Sequence, residues 1–256
     1  MTEDLFRLDG KVAVVTGGTR GLGRRMCEAF AAHGADVVVA SRKEEACRAV
    51  ADELARDHGI RAVGIATHVG HWDQCDRLLA ETLEKMGGID ILINNAGMSP
   101  PYGAETDVSE ALFDKVVAVN LKGPFRLAAL AGEHMAAAGG GSIINVTSIS
   151  AVQPRPGELP YAAAKAGLNA LTHGLARAYA PSVRVNAIMA GAFMTDISKA
   201  WDADEFARTA RERIALGRGG QPDEVVGAAL YLASGASSYT TGAVLKVDGG
   251  WAYGGA

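Results

Sequence analysis

The chain predicts an α/β fold: a doubly wound parallel sheet of seven strands flanked by helices, in a single domain spanning residues 1–256. Three observations carry this expectation. Short β-branched runs alternate with longer helical stretches, the pattern of a parallel sheet with right-handed crossovers. The strand-like runs are continuously apolar, as when helices cover both faces. No internal repeat, linker or composition break divides the chain.

The elements follow in order. Val12 to Val15 is the first strand and leads through a glycine-rich turn into a helix from about Leu22 to His33. Val37 to Ala40 is the second, followed by a helix from about Lys43 to His58, where Glu44 and Glu45 suit the positive end of the helix dipole. Ala62 to Ala66 precedes a helix from about Trp72 to Met86, and Asp90 to Ile93 is the fourth strand. A long helical stretch runs from about Ser109 to Ala137. Pro124 lies inside it and has no N–H for the carbonyl of Asn120, which predicts a kink there. Ser142 to Val146 is the fifth strand, Tyr161 to Ala180 is helical, and Val183 to Ala187 is the sixth strand. Two helical segments, near Glu205 to Ala215 and Pro222 to Ala233, precede the last strand at Ala243 to Val247. The least regular stretch, Gly191 to Ala203, predicts a flap extending over about 191–216.

With 48% hydrophobic residues the chain can bury a large core. Its formal charge of −4, without a basic stripe, argues against nucleic-acid or anionic-membrane partners. Three cysteines without CxxC spacing fit a reducing cytoplasm, and the acidic start Met1-Thr2-Glu3-Asp4 is unlike a signal peptide. No apolar run is long enough to suggest a transmembrane helix. His68, His71 and Cys75 superficially resemble metal ligands, but no fourth ligand is near in sequence, so no metal is expected.

The first strand is followed by Gly17-x-x-x-Gly21-x-Gly23. Glycines let a backbone approach a pyrophosphate, and the following helix aims its N-terminal N–H groups at that anion. An NAD site usually places an acid about 20 residues further on, at the end of the second strand. Ser41 and Arg42 stand there instead, and Arg20 lies inside the turn. Two guanidinium groups suit a ribose 2′-phosphate, so the cofactor expected is NADP(H). Tyr161 and Lys165, at i,i+4, share a helix face, and Ser148 follows the fifth strand, at the sheet edge where ligands bind. A nearby ammonium would lower the phenol's pKa towards the working range of an acid–base catalyst.

Together these motifs resemble the short-chain dehydrogenase/reductase family in its compact, Rossmann-like form. The resemblance runs from Lys11 to Gly250 and rests on Thr16-Gly17-Gly18-Thr19-Arg20-Gly21-Leu22-Gly23, on Asn94-Asn95-Ala96-Gly97, and on Asn120, Ser148, Tyr161 and Lys165. It implies that Tyr161 is the general acid or base and that Ser148 hydrogen-bonds the substrate oxygen. It also implies that Lys165 holds the nicotinamide ribose and shifts Tyr161, and that Asn120 supports a water-linked proton relay. The implied cofactor contacts are Gly17, Thr19, Arg20, Gly21, Leu22 and Gly23 in the turn, with Ser41 and Arg42 beyond the second strand. His68, Val69, Asn95, Ala96 and Gly97 follow the third and fourth strands. Tyr161, Lys165, Gly191 and Thr195 complete the set, with Ile188 near the nicotinamide.

Two departures from the family pattern stand out: Ala190 replaces the usual proline before Gly191, and His68 replaces a frequent aspartate. The segment Leu216 to Glu224 and Val247-Asp248-Gly249-Gly250 are similar to 3-oxoacyl-thioester reductases. The resemblance implies a ketone–alcohol oxidoreductase, commonly homotetrameric; sugar, steroid or other small-alcohol dehydrogenases are the alternative. A catalytically silent NADP-binding sensor or scaffold would lack one of the four catalytic residues, and all are present. Phe193, Met194, Ile197, Trp201 and Phe206 are candidates for an apolar substrate wall, and Arg155 for its entrance.

Overall fold

Alternate residues of the central apolar runs face opposite sides of one sheet and are buried on both. In β1 (Val12–Thr16), Ala13 and Val15 join one core cluster while Val12 and Val14 join another. The structure, a computed structural model, describes residues 3–196, 198 and 201–253. The other strands are β2 (Asp36–Ser41), β3 (Ala62–Ala66), β4 (Ile91–Asn94), β5 (Gly141–Ser148), β6 (Val183–Ala190) and β7 (Val244–Val247). They form one seven-stranded parallel sheet of order β3-β2-β1-β4-β5-β6-β7. The α/β doubly wound architecture is therefore the one the sequence predicts.

The helices divide between the two faces. Met26 and Phe30 of α1 (Gly21–Ala32), Val50 and Leu54 of α2 (Glu44–His58), and Ala229 and Leu230 of the segment 226–233 pack on one face. Leu78 of α3 (Trp72–Met86), Leu127 of the segment 123–137 and Leu175 of the segment 159–178 pack on the other. The chain reverses its winding at β1, whose neighbours are β2 and β4. That switch point leaves a crevice beyond the carboxyl ends of the strands, the usual ligand position in such sheets.

The long helix expected over 109–137 is divided. It consists of α4 (Glu110–Val117), a π-helical turn over Ala118–Lys122, and α5 (Gly123–Ala137), and the Gly123 N–H bonds the Ala118 carbonyl five residues back. Pro124 cannot continue the ladder, and the wider turn precedes it. Further on, α6 (Leu159–Ala178) begins two residues earlier than expected, because Pro160 fits the first helical turn. β5 extends to Ser148, so that residue ends the strand rather than following it. Within the expected flap, α7 (Ala203–Arg213) is regular, and a 3-10 turn at Pro222–Val225 leads into α8 (Val226–Ala233). Ile197 lies outside the described residues.

Candidate active site

The glycine turn is tied to β4. Thr16, buried at the end of β1, donates its hydroxyl to the Ile93 carbonyl at 3.1 Å. The same oxygen accepts the N–H groups of Asn95 (3.0 Å) and Ala96 (3.1 Å). Asn95 Nδ2 donates to the Thr16 carbonyl at 2.8 Å. Gly17 takes φ +67°, and a Cβ there would stand 2.8 Å from Asn95 Nδ2. A Cβ on Gly23 would stand 2.3 Å from the Gly17 carbonyl oxygen. One on Gly21 would meet Thr195 Cγ2 at 3.5 Å, which places Thr195 across the turn from the start of α1. The result is a backbone cradle at a helix N-terminus whose cap residue, Arg20, makes no side-chain cap bond. Such orphaned N–H groups suit an anion.

Beside the cradle, Thr19 donates its hydroxyl to Ser41 Oγ at 3.2 Å. Arg20 and Arg42 are exposed, line the same cleft with Leu22, and have no carboxylate partner among the described residues. His68 Nδ1 accepts the Gly70 N–H at 3.1 Å, which leaves the proton of a neutral ring on Nε2. Burial, then His71 and Arg42, push its pKa down. Next to it, Thr67 Oγ1 is buried with no hydrogen-bond partner and Val69 is buried at the cleft floor. Cys75 is turned away, donating its thiol to the Val69 carbonyl at 3.3 Å.

Ser148, Tyr161 and Lys165 converge at the far end of this cleft, which has a volume of about 960 Å³. Ser148 Oγ accepts the Ser150 N–H at 3.2 Å and so caps a 3-10 turn at Ile149–Ala151. Lys165 is 3% exposed, donates Nζ to the Val146 carbonyl at 2.8 Å, and stands 5.6 Å from the centroid of the half-buried Tyr161 ring. Burial pushes the Tyr161 phenol up to about 12, against a lowering by its hydrogen bond with Ser148. Burial alone pushes Lys165 down to about 8. The expected lowering of Tyr161 by Lys165 is not found: desolvation penalises both charged forms, Nζ is turned to a carbonyl, and Ser148 is the group that lowers the phenol.

Asn120 is fully buried, its Nδ2 donating to the Met98 (2.8 Å) and Val116 (2.9 Å) carbonyls and its Oδ1 accepting the Met98 N–H at 3.2 Å. A Cβ on Gly97 would lie 2.9 Å from Asn120 Oδ1 and 3.6 Å from Lys165 Nζ, so the two residues flank that glycine. Ile188 does not reach the cleft. It is wholly buried in the core, and Ala190, Gly191 and Ala192 form the wall there.

Comparison with known proteins agrees with this geometry. Residues 17–252 match the family profile described as Enoyl-(Acyl carrier protein) reductase. Dehydrogenase/reductase SDR family member 4 of Caenorhabditis elegans is 38% identical over 98% of both chains. The 3-oxoacyl-[acyl-carrier-protein] reductase of Aquifex aeolicus is 35% identical over 96% of this chain and 98% of its own. A gluconate 5-dehydrogenase from Burkholderia cenocepacia J2315, solved with NADP and tartrate, superposes with a TM-score of 0.94 at 35% identity over all of both chains. The chain belongs to the short-chain dehydrogenase/reductase family. It is an oxidoreductase of carbonyl and alcohol groups that uses a nicotinamide cofactor. The residues present fit that group: a cradle that side chains would fill, a buried Thr67 hydroxyl lacking a partner, and two cations in place of an acid.

Several groups that shape the enzyme's site were missed in the sequence. Tyr102 accepts the Leu159 N–H at 2.9 Å and donates to Glu105 at 2.7 Å, while Glu105 accepts the Gly157 N–H at 2.9 Å. This strap ties the loop after β4 to the start of the Tyr161 helix. Beneath the site, Asn94 Nδ2 donates to Asn145 Oδ1 at 3.0 Å and Asn145 Nδ2 to Thr172 Oγ1 at 2.9 Å, linking β4, β5 and α6. Trp251, buried near the C-terminus, lines the cleft. Apart from the local Tyr102–Glu105 bond, these partners lie 27 or more positions from the residues they hold. Of the flap side chains, Phe193 is mainly a core residue at 7% exposure, whereas Trp201 packs at a tilt against Phe206, ring centroids 5.0 Å apart, and lines the cleft.

Proposed function

We propose that the protein is an NADP(H)-dependent reductase/dehydrogenase that interconverts a ketone and a secondary alcohol. The observation that carries the reading is the convergence of Ser148, Tyr161 and Lys165 in the same cleft as the glycine turn and as Arg20 and Arg42, which have no carboxylate partner among the described residues. When bound, a nicotinamide would supply or accept the hydride at the substrate carbon. Tyr161, with its phenol held protonated well above neutral pH, gives the proton to the carbonyl oxygen in reduction and takes it back in oxidation. Ser148 hydrogen-bonds the same oxygen. Lys165, with a value of about 8, is mostly charged at neutral pH and stabilises the phenolate when it forms. Asn120 holds the Gly97–Met98 loop against Lys165. Gly17, Gly21 and Gly23 would hold the pyrophosphate and Arg20 and Arg42 the 2′-phosphate, with Thr195 across the turn from Gly21.

The chain is read as a single domain with its substrate flap at about 191–216. Exposed Trp72, Phe113 and Phe125 on the helical surface support a homo-oligomer, the tetramer expected from the resemblance. No helix among the described residues is long and apolar enough to cross a membrane, and three buried free cysteines support a cytoplasmic setting.

A panel of ketones and alcohols, with 3-oxoacyl thioesters, sugars and steroids among them, scored by NADPH absorbance, tests the activity. Tyr161→Phe should lower turnover by about 10² to 10⁴ while cofactor binding persists. Near-normal turnover in that variant would sink the assignment.

A further inference from the structure

Arg155 stands at the mouth of the cleft, in the loop between β5 and α6. Its guanidinium carbon lies 4.4 Å from the centroid of the Trp251 ring. Trp251 is 5% exposed and packs against Ile149, Met189 and Ile214, so the surface beneath the guanidinium is fixed. Gln153 Nε2 donates to the Ala252 carbonyl at 3.2 Å and ties the same loop to the same C-terminal segment. A guanidinium laid over an indole keeps its N–H donors around its edge, where a planar anion can meet two of them. Among the described residues no carboxylate pairs with Arg155, and the charges that reach it from further away are Glu158 and Arg213. Arg155 is exposed, and desolvation by its neighbours still pulls its pKa down, against a raising by Glu158.

We infer that the substrate bears one carboxylate remote from its reacting carbonyl, and that Arg155, seated on Trp251, receives it and selects oxoacids over neutral ketones. The inference rests on the ketone–alcohol reading of the cleft and adds the substrate's charge to it. Glu158, Asp202 and Glu205 line the same cleft and oppose any anion, a group with two negative charges about twice as strongly as one with a single charge, so the single carboxylate is the anion Arg155 can offset.

The test compares 4-oxopentanoate, 5-oxohexanoate and 6-oxoheptanoate with their methyl esters, and adds a ketone of similar length ending in phosphate. At one chain length kcat/KM for the acid should exceed that for the ester at least tenfold and that for the phosphate several-fold. Arg155→Leu should collapse the acid-to-ester ratio at least tenfold, and Arg155→Lys should restore only part of it, since an ammonium offers no planar fork. Calorimetric titration of acid and ester into the NADP+-loaded enzyme measures the same ratio without turnover. Turnover of neutral ketones with an acid-to-ester ratio near one, unchanged in Arg155→Leu, would overturn the inference and leave the proposed reaction standing. Selective binding of the acid by an enzyme that turns over no ketone would uphold Arg155 and sink the proposed reaction. A phosphate preferred over the carboxylate would also overturn the inference as stated.

Discussion

Replacing Gly23 with alanine tests whether the glycine turn is a close-packed cradle or an ordinary connection. The added Cβ would sit 2.3 Å from the Gly17 carbonyl oxygen and 2.5 Å from Asn95 Nδ2. Neither neighbour can yield cheaply. The Gly17 oxygen is main chain at the positive-φ corner of the turn, and Asn95 Nδ2 is bonded to the Thr16 carbonyl. Contacts this short must be relieved by shifting the turn away from β4, and overpacking of this kind costs roughly 1–3 kcal/mol. For a chain of this size each kcal/mol lowers Tm by about 2–4 °C. The same shift displaces the N–H groups of α1 that the proposed pyrophosphate site uses, so NADP+ should bind at least about tenfold more weakly, a loss of about 1.4 kcal/mol. Scanning calorimetry gives the first quantity and isothermal titration the second. Gly174→Ala is the control: it lies on the exposed face of α6 with nothing within 4 Å of its Cβ. Alanine there should stabilise the helix by about 1 kcal/mol and leave cofactor binding unchanged. A Gly23→Ala protein with wild-type Tm and wild-type NADP+ affinity would refute the packing argument.

Four further outcomes are expected. NADPH should be favoured over NADH by at least about tenfold in kcat/KM, since one charge-assisted bond is worth roughly 1.5–3 kcal/mol; Arg42→Ala should weaken NADPH far more than NADH, and equal calorimetric affinities in the wild type would reject the assignment. Lys165 has a folded value of about 8 against 10.5, so between those values the unfolded chain binds more protons and stability rises with pH. The thiols of Cys27, Cys47 and Cys75, pushed up by burial, act the other way in this window, so the readout is the difference: in urea unfolding the stability of the wild type relative to Lys165→Met should rise between pH 7.5 and 9.5, and a difference that does not change with pH would contradict it. Asn145→Ala removes the Asn94 acceptor and the Thr172 donor inside the core and should cost about 1–3 kcal/mol in the same assay. Tyr102→Phe deprives the Leu159 N–H of its acceptor at the start of α6; losing about 1 kcal/mol of transition-state positioning would lower kcat/KM roughly fivefold, and an unchanged value would show the strap to be idle.

What the sequence determined by itself is what depends on neighbours along the chain. Apolar runs with short spacing make β1 and β4 strands, glycines at 17, 21 and 23 make a turn, and four-residue spacing puts Tyr161 and Lys165 on one helix face. Pro124 announced an irregularity because the missing N–H is a property of that residue alone, although its form, a π turn over Ala118–Lys122, depended on how α4 and α5 pack. The tertiary structure decided what depends on residues far apart. Desolvation set the direction of the Tyr161 and Lys165 shifts, because burial is a sum over every element around the site and no local motif encodes it. Ile188 shows the same limit: the expected sixth strand stopped at Ala187, one residue short of it, and its seat in the core beneath the cleft followed from helices elsewhere in the chain. The Tyr102–Glu105 strap and the pairing of Arg155 with Trp251, 96 positions away, exist only once the sheet has brought loops from separate strands to one edge.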